Sequence, residues 1–266
     1  MPDPAIELDG FERSAFTHDG LTRDVYRAGN GPAVIVIHEI PGIIPEVIEF
    51  ARRVIDAGFT VYLPSLFGTP GRPMTTGYVM SVFSRCCVAK EFTTMALGRT
   101  SPIIGWLRAL AADAHDACGG PGVGAVGMCF TGGFALGMMV DERMLAPVLS
   151  QPSLPLPLGG SRRAALGISD ADLARVKERA ADGVCVLGMR FTNDPAVRPE
   201  RFETLRRELG DAFVSVEIDS SRGNPHGLSR QAHSVLTHEF KDEPGHPTRD
   251  ALDRVLDLFR EKLLTG

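Results

Sequence analysis

Apolar residues follow two rhythms along this chain. In Ala33-Val34-Ile35-Val36-Ile37-His38 they run almost without a break, as in a strand buried on both faces of a parallel sheet. From residue 44 to 57 they are spaced out: Ile44, Val47, Ile48, Ala51, Val54 and Ile55 repeat at helical intervals. Gly58 is a helix stop, and Phe59–Pro64 reads as a second strand. Strand, loop, helix and strand make the βαβ unit of a parallel sheet. The same alternation continues downstream. Helices are expected over 101–117, Gly132–Val140, from the Ser169 cap to Ala181, over 199–209 and over Thr248–Leu264. Strands are expected over 123–128, Met144–Ser150, Val184–Phe191 and Phe213–Ile218. Before all of these, Phe11–Phe16 predicts an edge strand, Arg23–Arg27 a further strand, and Gly29-Asn30-Gly31-Pro32 a turn.

Two stretches break the rhythm. Pro70, Gly71, Pro73 and Gly77 interrupt the first part of 65–100, with a helix expected over Tyr78–Ala96, and several prolines fill 151–163. Segments near 65–100 and 150–183 are therefore expected to form a lid or pocket walls. No repeat or linker divides the chain, so residues 1–266 are expected to form a single α/β domain. Its core would be a mostly parallel central sheet with helices on both faces.

The most informative junction is Val123-Gly124-Ala125-Val126-Gly127-Met128-Cys129-Phe130-Thr131-Gly132-Gly133. A buried strand here turns abruptly into an apolar helix, with small residues on both sides of a nucleophile. That is the nucleophile elbow of the α/β-hydrolase fold, with Cys129 where serine is usual. The turn holds its nucleophile in a strained backbone, so neighbouring side chains must be small. The following helix start directs N–H groups toward the sulfur and favours the thiolate. The bland alternative is a buried structural cysteine.

Composition narrows the field. An apolar fraction of 44% supports a large core, and a net charge of −5 with mixed signs gives no basic face for nucleic acid. No apolar run is long enough to span a membrane, and the N-terminal residues carry no secretion signal, so a cytoplasmic protein is expected. The five cysteines contain no C-x-x-C pair, which indicates neither a disulfide framework nor a zinc site. No cofactor is indicated. Cys86 and Cys87 read as core or partner-facing thiols.

A cysteine nucleophile needs a base, and the base needs an orienting acid. In this fold the chain order is nucleophile, acid, histidine, each on a loop after a strand. Asp194 follows Val184–Phe191 in the turn Asn193-Asp194-Pro195, where an ordinary turn aspartate is the bland alternative. Two histidines follow the last strand, His226 and His233, and spacing alone does not choose between them.

Four motifs resemble those of the dienelactone hydrolase family, over a match running from about Val34 to the C-terminus. They are Glu39-Ile40-Pro41-Gly42, the elbow at Cys129, the turn at Asp194, and Ala232-His233-Ser234-Val235. The last fits the family's histidine segment better than Pro225-His226-Gly227 does. The resemblance implies Cys129 as a nucleophile forming a thioester, His233 as base and Asp194 as its orienting acid. It implies that Glu39 contacts Cys129 at rest and moves aside as substrate binds. The backbone N–H groups of Ile40 and Phe130 would form the oxyanion hole, and Arg85 would hold a substrate carboxylate. Two features depart from the family pattern. Thr131 stands where glycine is usual, and no arginine follows His233 closely. An ester, lactone or thioester other than dienelactone is therefore as well accommodated. The alternative is a non-catalytic small-molecule binding protein of the same fold, against which the intact set of Cys129, Asp194, His233 and Glu39 argues.

Overall fold

The structure, a computed structural model, describes residues 8–88, 100–154 and 163–265. Its strands form one sheet in the order β1-β2-β4-β3-β5-β6-β7-β8. In chain order these are β1 (Glu12–His18), β2 (Leu21–Gly29), β3 (Ala33–Ile37), β4 (Thr60–Pro64), β5 (Val123–Met128), β6 (Met144–Ser150), β7 (Val186–Phe191) and β8 (Phe213–Ile218). β1 and β2 form an antiparallel hairpin, and β2 pairs antiparallel with β4. Every other pairing is parallel.

The helices are α1 (Pro45–Asp56), α2 (Thr76–Val88), α3 (Pro102–Cys118), α4 (Gly132–Met138), α5 (Asp170–Ala181), α6 (Pro199–Leu209) and α7 (Pro247–Phe259). Local chemistry starts several of them. The Ser101 hydroxyl accepts from the Ile103 N–H at the head of α3, and Ser169 accepts from Asp172 at the head of α5.

Residue alternation explains the unbroken apolar run of β3. Ala33, Ile35 and Ile37 face a core built with Trp106 and Leu110 of α3 and Phe134 of α4. Val34 and Val36 face the opposite core, with Phe50 and Val54 of α1 and Phe259 of α7. A central strand with helices on both sides has no wet face, so it has no polar positions.

Several boundaries differ from those expected. The N-terminal strands are longer because they pair with each other around Asp19-Gly20. The last helix passes into a π turn over Arg260–Leu264. The helix expected over Tyr78–Ala96 is present as α2; residues 89–99 and the Cys87 side chain lie outside the described residues. So do residues 155–162 of the second expected wall. Cys86 is buried as expected, and no disulfide joins the described cysteines. No helix among the described residues is long and apolar enough to cross a membrane.

His38, directly after β3, ties the sheet to the loop after β4. The Leu66 N–H donates to its Nε2 at 3.1 Å, so Nδ1 carries the proton and donates to the Glu39 carbonyl at 3.0 Å. Burial pushes its pKa down to about 4, from an ordinary 6.5. The unfolded ring therefore takes up a proton at higher pH than the folded one. Its contribution to stability is complete above about pH 6.5 and is lost as pH falls toward 4. Every tenfold difference in proton affinity between the unfolded and folded ring is worth about 1.4 kcal/mol. Urea midpoints measured across that window should fall more steeply for the wild type than for His38→Asn. Parallel curves would show that the folded ring takes up its proton at the same pH as the unfolded one.

Candidate active site

Parallel pairing lines up the carboxyl ends of β3, β5, β6 and β7 along one edge, the usual place for a site in such sheets. Glu39 follows β3, Cys129 follows β5, Ser153 follows β6 and Asp194 follows β7. His233 comes from the long connection between β8 and α7.

Cys129 has φ +52°, a left-handed conformation that only crowding on all sides maintains for a residue with a side chain. It opens a 3-10 turn, Cys129–Thr131, which runs into α4. A Cβ on Gly127 would stand 2.3 Å from the Thr131 carbonyl oxygen, and one on Gly132 would stand 2.5 Å from Pro152 Cα. These contacts are the physical content of the small-residue pattern.

The structure also accounts for Thr131. Its side chain is fully buried. The hydroxyl accepts the Met128 N–H at 3.0 Å and faces three carbonyls: Met128 at 2.9 Å, Ile37 at 3.0 Å and His38 at 3.2 Å. Glycine could not make this bond between the elbow and the end of β3. Thr131→Val, which keeps the shape and removes the hydroxyl, should cost about 1–3 kcal/mol by stranding the Met128 N–H. A urea midpoint unchanged from wild type would contradict this.

At the sulfur, His233 Nδ1–H donates to Asp194 Oδ2 at 2.6 Å, and the other Asp194 oxygen accepts the Ala196 N–H at 2.8 Å. Asp194 is 2% exposed, so both of its oxygens are held out of water. Burial alone would lower the pKa of His233. The charge of the Cys129 sulfur and the bond to Asp194 outweigh it and hold the ring well above its ordinary value. Such a ring keeps its proton to higher pH than a free imidazole does.

Glu39 is 3% exposed and meets the requirement that a buried carboxylate be partnered. It accepts from Ser234 Oγ at 2.7 Å, from Gln151 Nε2 at 3.3 Å and from Thr237 Oγ1. Its oxygens lie within 4.8 Å of the Cys129 sulfur and the His233 ring. Its three donors come from two loops, Ser234 and Thr237 from the histidine loop and Gln151 from the loop after β6.

Ser153 stands beside the sulfur. Its hydroxyl lies 3.3 Å from the Cys129 sulfur, and its N–H donates to the Cys129 carbonyl at 2.9 Å. The sequence marks 151–163 only as irregular and gives no local signal for this contact. Gln151, buried at φ +34°, links the loops by donating to Glu39 and accepting the Val235 N–H at 3.3 Å. Glu239 accepts the Ser234 N–H at 2.7 Å.

A cavity of about 310 Å³ opens over the sulfur, lined by Cys129, Ile40, Phe130, Ser153, His233 and Glu39, with Met74, Val79, Phe83 and Leu154 as an apolar wall and Ser234, His238 and Glu239 along one side. Ile40 and Phe130, the expected oxyanion donors, are thus residues of this lining. Arg85 is exposed on α2 and outside this lining, so the structure does not bring it to the site. Nor does it bring His226, whose ring packs against His246 at 5.4 Å beside a separate cavity. The Glu39, Cys129 and His233 groups are also the one cluster with metal-ligand spacing among the described residues.

The sequence profile of the dienelactone hydrolase family matches residues 24–263. No curated protein sequence matches this chain. Among solved structures, a provisionally named dienelactone hydrolase from Klebsiella pneumoniae subsp. pneumoniae is similar, with TM-score 0.65 and 18% identity over 94% of this chain and 98% of that one. A dienelactone hydrolase-like promiscuous phosphotriesterase from metagenomic libraries has TM-score 0.61 at 18% identity, over 95% and 98%. A cold-adapted esterase from an Arctic intertidal metagenomic library has TM-score 0.59 at 13% identity, over 97% of both. At such identities the likeness is one of fold.

Proposed function

Because the chain belongs to the dienelactone hydrolase family, a family of hydrolases, we propose that it cleaves a carboxylic ester or lactone through a Cys129-His233-Asp194 triad and a thioester acyl-enzyme. The observation that carries this reading is the convergence at one strand edge of a left-handed Cys129 and a His233 ring bonded to a buried Asp194.

The Cys129 thiolate attacks the carbonyl carbon, and the charge passes to the carbonyl oxygen. The N–H groups of Ile40 and Phe130, two residues of the cavity lining, receive that oxyanion; one such donor is worth about 3–4 kcal/mol of barrier. Collapse breaks the C–O bond, and the alcohol oxygen takes the proton of the His233 imidazolium. The neutral ring, held in one tautomer by Asp194, next takes a proton from water, and the resulting hydroxide attacks the thioester. Thiolate leaves, acid is released, and the ion pair is restored. Ser153, by hydrogen-bonding the sulfur, steadies the anionic form between turnovers.

The decisive experiment is an acid quench during turnover of p-nitrophenyl acetate, followed by peptide mass mapping. An acetyl group on the peptide bearing Cys129 is expected. Turnover with no such adduct would overturn the thioester route, and the absence of both turnover and adduct would favour the binding-protein alternative.

A further inference from the structure

The charged groups lining the cavity over Cys129 are unusual for a site that would hold an anion. Among the described residues they are Glu39, Glu239, His233 and His238, with no lysine or arginine. The described arginines nearest to the cavity lie outside that lining. Arg201, buried and within electrostatic reach of the Cys129 sulfur, donates through Nε to the Ala165 carbonyl and through Nη1 to the Pro152 carbonyl. Arg72 lies over the Tyr78 ring at 4.2 Å, and Arg85 is exposed outside the lining. Glu39 is bound by three donors from two loops. Glu239 is different. It stands on the cavity wall two residues beyond Thr237, and of its carboxylate oxygens Oε2 takes the Ser234 N–H, next to the His233 backbone. The same cavity is lined by the apolar side chains of Ile40, Met74, Val79, Phe83, Phe130 and Leu154.

We propose that this cavity takes uncharged, apolar esters or lactones and rejects substrates that carry a carboxylate, and that Glu239 is the residue setting this charge preference. The inference rests on Cys129 being the attacking atom. A substrate carboxylate beside the scissile carbonyl would enter a space already holding the Glu239 charge, with no guanidinium among the described lining residues to meet it. At separations of a few ångströms such like-charge contact is worth roughly a tenfold discrimination or more. Apolar acyl groups lose nothing there and gain by burying their surface against the apolar lining. Burial raises the Glu239 carboxyl pKa, while the Ser234 and His233 N–H groups pull it back down. The comparison is therefore made at about pH 8, well above the ordinary carboxylate range.

Two pairs of probes separate this proposal from the triad itself. The first is stoichiometric alkylation of Cys129 by iodoacetamide and by iodoacetate, which differ in charge and need no turnover. The second is turnover of methyl p-nitrophenyl glutarate and of mono-p-nitrophenyl glutarate, a neutral and an anionic ester of the same length. In the wild type the neutral member of each pair should react about tenfold faster or more. Glu239→Gln should narrow both ratios to within about threefold, while Glu239→Asp, which keeps the charge, should retain most of the preference. Equal or faster reaction of the anionic probes with wild type would overturn the proposal, as would ratios unchanged in Glu239→Gln. If Glu239→Asp narrowed the ratios as much as Glu239→Gln, charge would not be the cause and the proposal would fall. A failure of both esters to turn over counts against the triad, and the alkylation ratio then still decides the charge preference.

Discussion

Cys129→Ala is expected to lower kcat/KM for p-nitrophenyl esters by about 10⁴-fold or more, the scale of loss when a nucleophile is removed from a triad. The folded structure should hardly change. Alanine keeps the Cβ, and the crowding that imposes φ +52° comes from the elbow backbone and from the loop after β6, not from the sulfur. The substitution removes the sulfur whose charge raises the His233 pKa, so that pKa should fall from its raised value, read by NMR titration of the ring. Loss of activity with an unmoved His233 titration would mean that the sulfur did not supply the charge. Retained activity would remove Cys129 from the mechanism.

The second large effect distinguishes the two histidines. His233→Ala should cost about 10³–10⁴-fold in kcat, because proton transfer to the leaving group and from water both pass through this ring. His226→Ala should stay within about twofold of wild type, the range of a surface change remote from the chemistry. The contrast follows from where the rings lie: His233 bonds Asp194 at 2.6 Å, whereas His226 stacks edge-on with His246 in another cavity. Steady-state kinetics of the two purified variants checks both statements. The reverse pattern would move the base to His226.

The sequence makes some of this legible and hides the rest for identifiable reasons. The β3 run, the helix at Pro45–Asp56 and the elbow are readable because burial on two faces, helical spacing and backbone crowding each leave a local residue pattern. Asp194 is readable because the fold places an acid after a defined strand. The choice between His226 and His233 is not readable from spacing. The chain from Ile218 to Pro247 has neither helix nor strand, so its path is set by turns such as the one Asn224 organises with the N–H groups of His226 and Leu228. Ser153 and Gln151 act across loops that are far apart in sequence, Glu239 acts within the histidine loop, and all three residue types are ordinary for loops. Arg85 is a cation in the right stretch of chain, but which side of α2 it occupies depends on packing that composition does not specify.

The left-handed backbone at Cys129 sets a limit on how this protein tolerates improvement. A glycine at that position would relieve a conformational cost of about 1–2 kcal/mol. Selection for heat resistance or expression yield alone would therefore favour losing the sulfur. Only a screen that also demands turnover keeps it in place, so residue 129 is where directed stabilisation of this chain would first trade function for fold.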